Sequence, residues 1–276
     1  MKKILVPTDF STHSKTGIRF AIQLATQAPC ELIFYHANAK TPINAWTDDN
    51  YNDLKDTENA MLKNKLWKFV MAIYKQAGHS AGKVDWMIDN GTEVDTAIIE
   101  YAQKIHADFI CMGTRGGGTI SKLLGTNASK LMTSSPVPVM VVPYTYRTKP
   151  MENILYASDM QNIGIELRAV LQFAGPFKAK IGVYHYDYLL DYAEEKSKLN
   201  QVAIRHHFEN VVFNFRKLNA ERSLLAHLQT DIKKSNPSLI VMFTKQDRNW
   251  FERLFLSSKT AALGFDTKTP MLVFRK

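Results

Sequence analysis

The sequence predicts an α/β protein built from two tandem copies of one domain, each an open five-stranded parallel sheet with helices on both faces. Three observations predict it. Lys3-Ile4-Leu5-Val6-Pro7-Thr8-Asp9 returns as Asn153-Ile154-Leu155-Tyr156-Ala157-Ser158-Asp159, an internal repeat. Short apolar runs alternate with longer stretches of helical period, the pattern of parallel strands joined by crossover helices. At 276 residues, 45% of them hydrophobic, the chain is long enough to fill two cores.

The repeat runs the length of the chain. Ile22-Gln23-Leu24-Ala25 matches Leu171-Gln172-Phe173-Ala174, and Leu32-Ile33-Phe34-Tyr35-His36 matches Ile181-Gly182-Val183-Tyr184-His185, with a slip of one residue. The run from Asp108 to Thr114 parallels that from Ser238 to Thr244, and Pro138–Val142 parallels Pro270–Phe274. In the first copy, residues 1–146, strands are expected at 2–8, 31–37, 84–89, 108–113 and 138–143, and helices at 13–27, 53–77, 93–105 and 121–133. Thr92 and Asp95 have capping-box spacing and place the third helix start. In the second copy, residues 151–276, strands are expected at 152–158, 179–185, 210–216, 238–244 and 271–275. The segment Thr145–Met151 interrupts both patterns and marks the boundary.

Composition narrows the partners. A net charge of +9 can attract anions, but Lys3, Lys15, Lys63, Lys65 and Lys68 are scattered among acids, as on a solvated helix face. No basic stripe interleaved with aromatics argues for nucleic acid. The opening apolar stretch breaks at Pro7 and Asp9, and no run is long enough to span a bilayer, so the expectation is a cytoplasmic protein without a membrane partner. Cys30 and Cys111 are too few for a disulfide framework and lack zinc spacing, and they read as small buried hydrophobes.

Open parallel sheets take ligands at the carboxyl ends of their strands, where strand order reverses. Directly after the fourth strand stands Gly113-Thr114-Arg115-Gly116-Gly117-Gly118, followed by Gly125-Thr126-Asn127 ahead of a helical run. Glycines let backbone N–H groups reach phosphate oxygens, Arg115 adds charge and Thr126 a hydroxyl. Neither a Walker loop, a dinucleotide fingerprint nor a nucleophile elbow occurs. The matching segment of the second copy, Phe243-Thr244-Lys245-Gln246-Asp247-Arg248-Asn249-Trp250, lacks the glycines, and nucleotide binding is not expected there. Trp250, Phe251, Leu254 and Phe255 share one helical face and read as packing. His36 and His185 end matching strands without a second ligand nearby and read as structural, and no metal site is expected. His206 and His207 read as solvated. Asp9 is a lone carboxylate suited to a ribose hydroxyl or a turn cap. The long connection Asn38–Asn52, with Trp46 inside it, follows the second strand at the ligand edge. No paired carboxylates or nucleophile–base dyad is visible, so no catalytic residue is assigned.

Pro7-Thr8-Asp9-Phe10-Ser11, Met112-Gly113-Thr114-Arg115-Gly116 through Gly125-Thr126, and Pro136–Val142 together resemble the universal stress protein family over the whole chain as a tandem pair. The family's ATP motif is G-x2-G-x9-G-[S/T]; here eight residues separate Gly116 and Gly125, a departure that Gly117 and Gly118 absorb or that alters the pocket. The resemblance implies a Rossmann-like, adenine-nucleotide-alpha-hydrolase-like fold. It implies ATP, with or without Mg²⁺, in the first domain: Pro7, Thr8 and Asp9 edge the pocket, Ala37 offers backbone to adenine, and Met112, Gly113, Arg115 and Gly116 line the phosphates. Gly125, Thr126 and Asn127 close the phosphate side. It further implies a sensor or regulator in a stress response, hydrolysis that is at most slow, and a homodimer or pseudo-dimer formed through the last strands. The competing reading is a nucleotide-free scaffold acting through protein contacts; an adenylate-forming enzyme is weaker because almost no residues remain for a second substrate site.

Overall fold

A computed structural model describes residues 1–38, 48–90, 93–114, 125–188, 210–219, 221–244 and 268–276, with backbone alone at 48–55 and 125–126. Two compact units emerge, one of residues 1–114 with 125–144 and the other of residues 145–276.

The first unit holds strands β1 (Lys2–Pro7), β2 (Cys30–Ala37), β3 (Val84–Asp89), β4 (Phe109–Gly113) and β5 (Val139–Val142). They pair in parallel in the order β3-β2-β1-β4-β5. Helices α1 (Ser14–Gln27), α2 (Asp48–Ala77), α3 (Val94–Lys104) and α4 (Gly125–Ser134) connect them. The central strands are continuous apolar runs because both faces of the sheet are covered. Phe34 and Tyr35, adjacent on β2 and both fully buried, show this: Phe34 meets Tyr74 of α2 edge-on at 6.3 Å, while Tyr35 stacks on Tyr101 of α3 at 5.1 Å. Since neighbouring strand residues point to opposite faces, α2 and α3 cover opposite faces.

The second unit repeats the plan with β6 (Asn153–Ala157), β7 (Lys180–Asp187), β8 (Val211–Lys217), β9 (Leu239–Thr244) and β10 (Met271–Arg275). Their order is β10-β9-β6-β7-β8, again parallel. Of its helices, α5 (Ile163–Ala174) and α6 (Leu224–Ser235) are described. Tyr156 donates to Glu166 of α5, and Tyr186 donates to Asp231 of α6. Tyr156 is in register with Val183, three residues before Tyr186, so α5 and α6 lie on opposite faces. Helix α6 is bounded by sequence-local caps: the Ser223 hydroxyl accepts from the Ala226 N–H, and Asn236 closes the other end at φ 44°.

Two local expectations are corrected. Helix α2 starts at Asp48, five residues before the expected 53, and takes up part of the segment read as connection. Helix α3 starts at Val94 with Glu93 as N-cap, and the Glu93 side chain makes no cap hydrogen bond. Asp95 bonds to amides of the first turn and also pairs with Lys130 of α4, at 3.0 Å, while Thr92 lies outside the described residues. Of the lysines read as a solvated face, Lys63, Lys65 and Lys68 are exposed, but Lys3 sits on β1 and donates to the Ile105 carbonyl. Burial pushes the Cys30 thiol up to about 11, and Cys111 is buried with its thiol directed to the Gly17 carbonyl, so neither is a reactive thiolate. Among the described residues no helix is long and apolar enough to cross a membrane.

Candidate functional site

From β1 the chain crosses to β2 on one side, while β4 pairs on the other, so the order reverses between β1 and β4 and a crevice opens at their carboxyl ends. The turn after β1 forms one wall. The Thr8 N–H donates to the Tyr35 carbonyl at 2.8 Å, and the Thr8 and Ser14 hydroxyls share a buried hydrogen bond of 2.8 Å. The Phe10 N–H donates to the Thr8 hydroxyl and the Ser11 N–H to the Asp9 carboxylate. Phe10 sits at φ 62°, left-handed backbone that an aromatic residue rarely adopts. Tertiary contacts hold it there: its ring lies 4.4 Å from His36 and 5.6 Å from Phe69 of α2, with the Lys65 ammonium 4.5 Å above it. His36 Nδ1 lies 2.8 Å from the Thr8 carbonyl, so Nδ1–H donates and the imidazole serves as a clamp on the turn. Burial alone would raise the Asp9 carboxyl; hydrogen bonds from Ser11 and Ser14 outweigh it and hold the group below its ordinary value.

Strand β2 forms the second wall. Because the Tyr35 carbonyl faces β1, the N–H and C=O of Ala37, two residues on, point the same way. Pairing between β1 and β2 ends at Pro7 and Tyr35, so these groups of Ala37 point past the end of β1, into the crevice. The Asn38 N–H returns to the Asp89 carbonyl at 2.6 Å, and an amide chain runs from Asn38 to Asn90 and on to Asn59 of α2. The Tyr35 hydroxyl donates to the Asp89 carboxylate at 2.7 Å.

The third wall is the end of β4, where two glycines meet. A Cβ on Gly113 would lie 2.1 Å from the His13 carbonyl oxygen, and one on Gly17 would lie 2.4 Å from the Gly113 nitrogen. Both positions therefore require glycine for α1 to lie against the strand end. His36 is structural, as its sequence pattern suggests, with the Thr8 carbonyl as its partner; the sequence signal for Gly17 is a glycine inside a helix, a position that costs about 1 kcal/mol relative to alanine.

The turn thus brings Pro7, Thr8, Asp9, Ala37, Met112 and Gly113 to one edge. Helix α4 follows β4 and opens at that edge with Gly125, Thr126 and half-buried Asn127 in its first turn. Arg115, Gly116 and the loop to residue 124 lie outside the described residues, as do Trp46, His206, His207, Asp247 and the Trp250–Phe255 face. No group of three or more His, Cys, Asp or Glu among the described residues is placed to hold a metal.

The second unit repeats most of the turn, but not the Thr8–Ser14 hydroxyl bond, since its helix opens with Ile163 where α1 opens with Ser14. The Ser158 N–H donates to the Tyr184 carbonyl, the Met160 N–H to the Ser158 hydroxyl and the Gln161 N–H to the Asp159 carboxylate. Met160 adopts φ 65°, and His185 Nδ1 lies 3.0 Å from the Ser158 carbonyl. What fills the crevice differs. Phe243 replaces Gly113 and stacks on Phe274 at 4.8 Å. Lys276 places its ammonium 2.8 Å from the carboxylates of both Asp159 and Glu166.

The family model described as "Universal stress protein family" matches residues 1–143. The chain belongs to the universal stress protein family. A universal stress protein from Methanocaldococcus jannaschii is 26% identical over 153 residues, covering 51% of this chain and 81% of the relative. A universal stress protein structure from Archaeoglobus fulgidus aligns over 99% of this chain and 98% of its own, at 16% identity and a TM-score of 0.71. The cytoplasmic domain of a prokaryotic cation chloride cotransporter aligns over 99% of this chain and 94% of its own, at 9% identity and a TM-score of 0.51. These likenesses extend the tandem Rossmann-like fold of universal stress proteins across both units.

Proposed function

We propose that the first unit binds an adenine nucleotide, ATP foremost, between the ends of β1, β2 and β4, and that the protein serves as a nucleotide-responsive sensor or regulator. The observation that carries this reading is the Ala37 backbone. Its N–H and C=O point past the end of β1 as an adjacent donor and acceptor. Adenine presents the complementary pair, an acceptor at N1 and a donor at N6; guanine presents the opposite pair and fits poorly. Asp9, whose carboxyl is held below its ordinary value, would stay ionised and accept from ribose hydroxyls. The first turn of α4, with Gly125, Thr126 and Asn127, would supply N–H groups to phosphate, with Arg115 and Gly116 of the preceding loop beside them. Bound ATP contributes its charge and shape, and this set of residues binds and orients it.

Titration of the nucleotide-stripped chain with Mg²⁺ and ATP, read by calorimetry, tests the proposal. One site per chain, weakened at least tenfold with GTP and lost in Gly125→Val, is the expected result. No heat at millimolar ATP would remove the nucleotide and leave the scaffold reading, in which the first unit acts through protein contacts.

A further inference from the structure

The second unit keeps the turn of the first but fills its crevice from within. Helices α1 and α5 begin at Ser14 and Ile163, which puts Glu166 at the place of Gly17. Gly113 is in register with Val142 and Phe243 with Phe274, so Lys276 stands at the place of Tyr144, two residues beyond. Three positions that in the first unit carry two touching glycines and a half-exposed tyrosine therefore carry a glutamate, a phenylalanine and a lysine. Glu166 is 3% exposed, and such a carboxylate needs compensation. One of its oxygens accepts from the Tyr156 hydroxyl, and the Lys276 ammonium lies 2.8 Å from the other as its ion partner. The same ammonium donates to both oxygens of Asp159 at 2.8 Å, and the Lys276 backbone is anchored by its N–H to the Thr244 carbonyl. Side chains of Lys276, Asp159 and Glu166 are only 10%, 15% and 4% exposed.

We infer that Lys276 is an internal cation that stands in the second unit's crevice where a ligand would stand, locking the turn after β6 and making this unit ligand-independent. The lock is electrostatic and bridges two elements: Asp159 belongs to the turn, Glu166 to α5, and the ammonium joins them from the end of β10. The first unit holds Asp9 by its own turn, through the Ser11 N–H, and leaves the carboxylate exposed toward the crevice. The difference predicts different responses to ligand in one chain.

Hydrogen exchange on the full chain tests this at the Met160 and Gln161 amides, whose acceptors are Ser158 and Asp159. In the unaltered chain, exchange there should not respond to millimolar Mg²⁺ and ATP. In Lys276→Met it should rise on the order of tenfold or more, because Glu166 is left buried without its cation. Glu166→Gln combined with Lys276→Met should restore most of the protection, since glutamine still accepts from Tyr156 and carries no charge. Unchanged exchange in Lys276→Met, or protection by ATP at these amides, would overturn the inference. Should Lys276→Met fail to fold, recovery of a folded chain in the double variant supports an electrostatic lock, and failure of the double variant while Glu166→Gln folds alone refutes it. None of these outcomes depends on whether the first unit binds nucleotide.

Discussion

The turns after β1 and β6 share most of their hydrogen bonds, carry a left-handed residue at the same position and are clamped by equivalent histidines, yet one stands beside two touching glycines and the other beside an ion cluster. Part of the shared frame is local, since Thr8 and Ser158, Asp9 and Asp159 bond to amides two residues on; the rest comes from the neighbouring strand, through Tyr35 and His36 or Tyr184 and His185. The differing features are distant in sequence, since Gly17 meets Gly113 and Glu166 meets Lys276. Duplication thus preserved the frame of the site, while substitutions at three scattered positions changed what occupies it.

Exchanging the fillings should break each unit, and the largest effect is expected at Phe243. Its side chain is 9% exposed and packs between Phe274 and Tyr156. Phe243→Ala should lower unfolding stability by about 3–5 kcal/mol through lost burial and a cavity, measured by denaturant titration. A loss under about 1 kcal/mol would mean that the crevice collapses around the smaller residue.

The reverse experiment in the first unit is Gly17→Ala. Helix propensity alone favours alanine by about 1 kcal/mol, but the new methyl would press on the Gly113 nitrogen and the Met112 carbonyl carbon, at 2.4 and 2.7 Å. Backbone cannot yield as a flexible side chain can, so the net change should be destabilising by about 1–3 kcal/mol. Gly164→Ala is the contrasting case, because a Cβ there meets nothing within 4 Å. It should be neutral or stabilising by up to about 1 kcal/mol. A stabilised Gly17→Ala chain would contradict the close approach of α1 to β4.

How far the sequence reveals these contrasts follows from the range of the interactions. The strands were legible because each is a continuous apolar run, as in Ile4-Leu5-Val6 and Val139-Met140-Val141-Val142, and their order of appearance implied a parallel sheet. The Thr/Ser–Asp turn was legible because its side chains bond to amides two residues on. The start of α2 was not, because polar residues Asp48, Asp49 and Asn50 carry no apolar period. The partnership of Lys276 with Asp159 and Glu166 was not either, since 117 residues separate it from one and no spacing rule joins them. Asp95 shows the same limit, because its ion pair with the distant Lys130 is invisible to a local capping pattern.

A smaller effect is expected on binding at the two equivalent aspartates. Asp9→Ala should weaken nucleotide binding to the first unit by about tenfold, or about 1.4 kcal/mol, by removing a charged acceptor from the crevice. Asp159→Ala should leave binding unchanged, because that carboxylate is engaged by Lys276. Calorimetry of both variants sharpens the comparison; equal losses would mean that the two units share one mode of binding.

The smallest effect should emerge only in alkali. Burial alone would depress the Lys276 ammonium, but its bonds to Asp159 and Glu166 outweigh that and raise it above its ordinary 10.5. The folded chain then holds this proton more tightly than the unfolded chain. The resulting stability is fully present below the unfolded value and is lost as pH rises through the folded one. Asp159, Glu166 and Tyr156 are the groups at this cluster. Burial and the Glu166 charge push the Tyr156 hydroxyl up, so it adds an alkaline loss of the same sign. Lys276→Met separates the two contributions. The stability gap between the unaltered chain and this variant should be constant from about pH 7 to pH 9 and shrink above about pH 10.5. A gap that persists undiminished to pH 12 would assign the stabilisation to packing of the lysine stem rather than to its charge.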